Sequence, residues 1–139
     1  MPADVFVDTN ILVYAHDLDA GEKHKRAKQL VGELWRSEPL PWLSVQVLQE
    51  LLVTLRRKGV PAPEARETVE AYMRWRVVEN DLKLLSTAMT EMERWEISFW
   101  DGLILAAARS MGLNTVYSED LSDTQNYDGI RVENPFETS

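Results

Sequence analysis

The chain has 139 residues, 45% of them hydrophobic and 27% charged, with 15 basic against 23 acidic side chains and a net charge of −8. That composition fits one ordinary soluble globular domain, large enough to bury a core without staples. It has no cysteine, which excludes disulfides, thiolate metal sites and cysteine nucleophiles and is consistent with a reducing cytosol.

The first element is a short buried strand over 4–7, rich in Val and Phe, with a helix starting near Thr9 or Asn10. The N-terminus shows no basic region followed by a long apolar stretch, so no signal peptide is expected. Residues 22–37 read as a helix, because Ala27, Leu30, Val31, Leu34 and Trp35 fall on one apolar stripe. A short strand at 39–44 follows, and Ser44 is placed to cap a helix over 45–58 that Gly59 ends. Pro61 and Pro63 mark a turn, and a helix is expected through about residue 75. Val77 and Val78 suggest a brief strand. LKLLSTAMTEMERWEI reads as a helix with Ser86 or Thr87 near its start. Ser98 then caps the largely apolar FWDGLILAAARSM helix, which Gly112 closes. NTVYS at 114–118 is a clear strand, and the turn-rich tail of 122–139 holds one strand candidate, Ile130 to Val132. No apolar run is long enough to span a bilayer. Strands alternating with helices imply an α/β class with a mainly parallel sheet covered on both faces.

In such sheets ligands bind outside the carboxyl ends of the strands. Asp8 directly follows the first strand, and Glu119 and Asp120 directly follow NTVYS. Asp101 lies three residues after Ser98 and admits two readings, a capping-box acid and a site acid, which can coexist. Glu50 falls opposite the Leu48, Leu51, Leu52 and Leu55 face of its helix, with Gln46 and Arg57, where periodicity alone reads it as solvated. Converging carboxylates without cysteine or histidine suit Mg²⁺ or Mn²⁺ rather than zinc. His16 and His24 lie outside the constellation and read as surface residues. An acidic net charge argues against a nucleic-acid partner unless those carboxylates hold cations. The local basic runs, Lys23, Lys25, Arg26 and Lys28, then Arg56, Arg57 and Lys58, read as solvated helix faces.

Four pieces in order, VFVDTNILVYA, LSVQVLQELL, ISFWDGLILAAARSMG and TVYSEDLSDTQNYDGIRVENPF, resemble a PIN-domain ribonuclease, specifically a VapC-type toxin of toxin–antitoxin pairs. The resemblance covers nearly the whole chain and implies one PIN-like nuclease domain over 1–139, folded as a three-layer α/β/α sandwich around a mainly parallel sheet. It implies a Mg²⁺- or Mn²⁺-dependent endoribonuclease in which metal-activated water attacks an RNA phosphodiester in line. Its acidic quartet maps onto Asp8, Glu50, Asp101 and Asp120, with Thr9, Asn10 and Ser118 as supporting polar residues. Asp8 and Asp101 would be the principal metal ligands. Glu50 would hold a metal directly or through water, or help activate the attacking water, and Asp120 would complete a second-metal side. Asp123 lies close enough to Asp120 to leave that last assignment open.

The implied setting is cytoplasmic, with no membrane contact. The implied partners are an RNA substrate, a second copy of the chain and a small antitoxin that blocks the site and supplies operator binding, which the toxin lacks alone. Five tryptophans, with Tyr72 and Met73 beside Trp75, read mostly as core and secondarily as interface. Two rival readings remain. A haloacid-dehalogenase-type phosphatase also places an aspartate after its first strand, but it requires D-x-D where this chain has Asp8, Thr9 and Asn10. A PIN-fold module that binds RNA or protein without cutting is the other.

Overall fold

In a computed structural model of the chain, residues 4–137 are described. Six strands form one sheet in the order β3-β2-β1-β4-β6-β5. The strands are β1 (Phe6–Val7), β2 (Trp42–Ser44), β3 (Arg76–Val78), β4 (Thr115–Tyr117), β5 (Asn126–Tyr127) and β6 (Ile130–Glu133). The six helices are α1 (Thr9–His16), α2 (Glu22–Trp35), α3 (Val45–Arg57), α4 (Ala62–Tyr72), α5 (Leu82–Trp95) and α6 (Phe99–Ser110), with a short 3₁₀ turn at Leu18–Ala20. All pairings are parallel except that of β5 with β6. Phe6 stands opposite Trp42 on one side and Val116 on the other.

The chain moves outward from β1 to β2 and β3 through α1–α4, then returns past β1 to β4 through α5 and α6. Right-handed crossovers in opposite directions put the two helix groups on opposite faces of the sheet. Helices α1, α2, α3 and α4 pack among themselves, and α5 packs on α6. The result is the expected three-layer α/β/α architecture. The reversal of direction beside β1 makes the β1/β4 boundary the topological switch point, where α/β sheets open a crevice at their carboxyl edge.

The core is fully apolar at its centre. Phe6, Val7, Leu43 and Val116 of the sheet are completely buried, and α6 is buried continuously from Gly102 to Ala108. That burial explains why α6 reads as greasy all round.

Three local expectations change. Helix α4 ends at Tyr72 rather than near 75, because Trp75 turns inward to meet the rings of Trp35 and Tyr72. Helix α5 begins at Leu82, the first residue of the LKLLSTAMTEMERWEI segment, but Ser86 and Thr87 lie inside it rather than near its start. Its N-cap is Asp81, whose carboxylate accepts from the Leu84 amide at 2.8 Å, while Thr87 lies inside the helix and donates back to the Lys83 carbonyl. The tail carries two strands, not one. Asp128 and Gly129, both at positive φ, close a tight hairpin between β5 and β6. The last two residues of the tail lie outside those described.

Candidate active site

Asp8 ends β1 and caps α1, with its Oδ1 accepting from the Thr9 amide at 2.7 Å. Its Oδ2 accepts from the Ser118 hydroxyl at 2.8 Å, across the switch point from the end of β4. Asp8 is 5% exposed and Ser118 is fully buried. Burial pushes the Asp8 carboxyl up to about 7, against the opposing pull of the Ser118 and Thr9 bonds, and the negative charges of Asp120 and Glu50 add to the rise.

Asn10, on the first turn of α1, ties the two strand ends together. Its Nδ2 donates to Asp120 Oδ2 at 2.9 Å and to Asp8 Oδ2 at 3.4 Å, and its Oδ1 accepts from the Glu119 amide at 3.2 Å. Ser118 Oγ in turn accepts from the Asp120 amide at 3.0 Å. Asp120 is thereby oriented toward Asp8. Asp123 instead meets Glu137, and Glu119 is occupied by Tyr14 and Lys23.

Glu50 lies on the second turn of α3, whose start at the end of β2 is capped by Ser44. Its Oε2 accepts from Thr9 Oγ1 at 3.1 Å and its Oε1 from Gln46 Nε2 at 2.7 Å. Gln46 is 4% exposed, and its own Oε1 has no partner. Periodicity grouped Gln46 with the solvated side, whereas it holds Glu50 from within the protein. An i, i+4 Gln–Glu pair was the signal available for that contact.

Asp101 occupies the first turn of α6, where its amide donates to Ser98 Oγ at 3.1 Å. The cap is therefore Ser98, and its side chain also engages the Asp101 carboxylate. Burial raises the Asp101 carboxyl, Ser98 opposes that rise, and Asp120 and Glu50 add to it. Asp8 and Asp101 thus both sense Asp120 and Glu50, so the four acids share one electrostatic neighbourhood.

Every hydrogen-bond partner of Asp8, Glu50 and Asp120 among the described residues is neutral, and none of the four acids joins an ion pair there. The donor set is all oxygen and its negative charge is left uncompensated. That is the chemistry of a hard divalent cation, which takes carboxylates and keeps several waters. Among the described residues no three acidic or histidine side chains are placed to hold a metal ion together, so water would supply the remaining ligands of such a site. His16 bonds the Tyr72 hydroxyl and His24 the Tyr14 carbonyl, both outside the acid group.

The PIN-domain family model matches residues 5–125. The chain belongs to the PIN-domain family. Solved structures similar to this PIN domain include a toxin–antitoxin complex from Klebsiella pneumoniae, at 21% identity and TM-score 0.69, covering 96% of this chain and 99% of that one. VapC20 of Mycobacterium tuberculosis, a sarcin–ricin-loop-cleaving toxin, is 24% identical with TM-score 0.68, over 84% of this chain and 89% of its own. FitAB bound to a DNA fragment gives TM-score 0.73 at 18% identity, over 97% of both chains. At these identities the likeness is one of fold. No curated protein matches the chain. Among the described residues, no helix of this PIN domain is long and apolar enough to cross a membrane.

Proposed function

We propose that this PIN domain is a divalent-metal-dependent endoribonuclease acting as the toxin of a cytoplasmic toxin–antitoxin pair. The observation that carries the reading is Asp8, a buried carboxyl at the switch point, held by neutral donors beside three further acids with no cationic side chain among them. Two strand ends and the opening turns of two helices carry these acids, and their mutual charge is costly unless a cation shares it, which supports the reading.

Asp8 and Asp101 would be the main ligands of Mg²⁺ or Mn²⁺, with Glu50 and Asp120 engaging directly or through water. When bound, the ion would supply positive charge to a phosphodiester and make a water acidic enough to attack it. The chain's own part is orientation. The Thr9 amide and Ser118 hydroxyl favour the ionised form of Asp8 and aim it at the crevice. Thr9 and Gln46 grip both oxygens of Glu50, so its carboxylate is fixed where it can accept a proton from an attacking water. Asn10 holds Asp120 against the opening. The partners proposed are an RNA substrate, a second copy and a small antitoxin. Similar folds solved as toxin–antitoxin complexes support the last of these.

The test is incubation of purified protein with RNA and Mg²⁺ or Mn²⁺, beside Asp8→Asn prepared identically. Cleavage by the wild type and none by the variant is expected. Equal cleavage by both would trace the activity to a contaminant and sink the proposal.

A further inference from the structure

A groove of about 430 Å³ adjoins the acid group on the far side of Glu50, lined by Gln46, Gln49, Val53, Arg57 and Trp100. Its volume lies within the roughly 300–1,000 Å³ of small-ligand clefts. One wall is a single stripe of α3, since residues 46, 49, 50, 53 and 57 recur at helical spacing while Val47, Leu48, Leu51 and Leu55 face the core. The other wall is Trp100, at the start of α6 and one residue before Asp101. Glu50, one of the four acids, therefore belongs to both groove and site, and Asp101 follows the groove's Trp100 directly in the chain.

Trp100 is 60% exposed, the one aromatic ring among the large exposed apolar side chains of the described residues. Trp75 is buried, and Trp35, Trp42 and Trp95 pack against the core. The one ring touching Trp100 among the described residues is Phe99, edge-on at an interplanar angle of 76°, so neither face of the indole is stacked by it. Arg57 is exposed and joins no ion pair among the described residues, unlike Lys58, which pairs with Asp17. A large flat ring and an unpaired cation thus share one groove.

We propose that this groove is a nucleobase subsite, in which Trp100 stacks on an unpaired base of single-stranded RNA next to the scissile phosphate. The proposal rests on the nuclease reading above and deepens it. A base offers a π-face to Trp100 and an adjoining phosphate to Arg57. Exposed aromatics beside a cationic side chain are how single strands are held without base pairing. Continuity with the acid group favours RNA over a protein partner, because a base here places its own phosphate at Glu50 and Asp101. It also gives this acidic chain a local contact of the right sign.

The test compares wild type, Trp100→Ala, Trp100→Phe and Arg57→Gln on a short single-stranded RNA and on the same RNA carrying one abasic nucleotide at successive positions around the cut. Loss of one stacked base corresponds to roughly a 5- to 150-fold weakening. We expect Trp100→Ala to raise KM within that range with kcat little changed, and Trp100→Phe to recover most of it. One abasic position should raise KM for the wild type and have no further effect in Trp100→Ala. Arg57→Gln should raise KM and flatten its dependence on salt. Unchanged KM in Trp100→Ala, or an abasic profile independent of Trp100, overturns the subsite. A variant with normal RNA kinetics but an altered oligomeric state would assign the surface to a protein partner, and also overturns it. Should the wild type cut no RNA, the nuclease reading fails on its own. Binding of the same oligonucleotides then decides: affinity that depends on Trp100 supports the subsite, and affinity that does not overturns it.

Discussion

At the residue scale, Asp8 concentrates the conflict between stability and chemistry. Its carboxyl moves from an ordinary 3.8 up to about 7 because burial disfavours the charge. Between those values the native chain keeps a proton that the unfolded chain has released. Metal-free stability therefore falls as pH rises from about 4 to about 7, and stays low above that. At 1.36 kcal/mol per pKa unit, the loss is at most of order 4 kcal/mol. Asp8→Asn keeps a residue type that caps helices well and removes the charge. In EDTA, it should melt above the wild type at pH 8, with the gap closing near pH 4. Equal melting temperatures at pH 8 would contradict the buried-charge account. Ser118 acts on the same group from across the switch point. Its bond lowers the Asp8 carboxyl, so Ser118→Ala should push that group further up and move the acid limb of a cleavage profile to higher pH. A loss of roughly tenfold at pH 7 is expected from one bond to a charged group, recovering at more alkaline pH. A loss that is the same at every pH would mean that Ser118 acts only through packing. Both residues were legible as strand-end polar groups. Gln46 was not, because periodicity reports which way a helix faces and not which neighbour covers its polar side.

At the element scale, α6 delivers Asp101 to the site, and its position depends on one glycine. A Cβ on Gly102 would stand 2.7 Å from the Ala88 carbonyl oxygen and 3.1 Å from the Met92 amide nitrogen. Backbone cannot yield as a side-chain tip does, so Gly102→Ala should cost about 1–3 kcal/mol in chemical denaturation. It should lower cleavage as well, by shifting α6 against α5. The hairpin at the sheet edge is held differently. Arg109 of α6 pairs with Glu91 of α5 and donates to the carbonyls of Tyr127 and Asp128 at 2.8 and 3.0 Å. Glu91 is 4% exposed and also accepts from the Trp95 indole. Arg109→Ala leaves that buried carboxylate without its cation, a loss of roughly 3 kcal/mol, visible as a lower urea midpoint. No change in midpoint would show the pair to be ornamental. The helix starts at Ser44 and Ser98 were readable because capping chemistry is local. Asp81 was passed over for Ser86 and Thr87, although a cap needs only an extended backbone and an oxygen placed before the first turn. The Asp128–Gly129 pair that closes the last hairpin was likewise a usable turn signal.

At the scale of the whole molecule, folding gathers negative charge at one edge and leaves it without a cationic side chain among the described residues. Adding Mg²⁺ or Mn²⁺ to EDTA-treated protein should therefore raise its melting temperature. At a hundredfold excess over the dissociation constant the gain is about 2.7 kcal/mol, a rise on the order of 10 °C for this size. Asp101→Asn should blunt the rise, and an equal rise in that variant would place the ion elsewhere. The alternation of strands and helices determined the α/β class from the sequence alone, because hydrophobic periodicity is a local property of the chain. Family-like pieces with Asp8, Glu50, Asp101 and Asp120 in order pointed to the candidate acids before any contact was visible. Which neighbours they share only the tertiary structure decided. The crossover reversal sets β4 beside β1, and Asn10 and Ser118 then link Asp8 to Asp120 across more than a hundred residues of chain. The same packing sets Asp123 against Glu137 and leaves Trp100 open beside Asp101. Such relations depend on strand order and helix placement, which no stretch of sequence carries by itself.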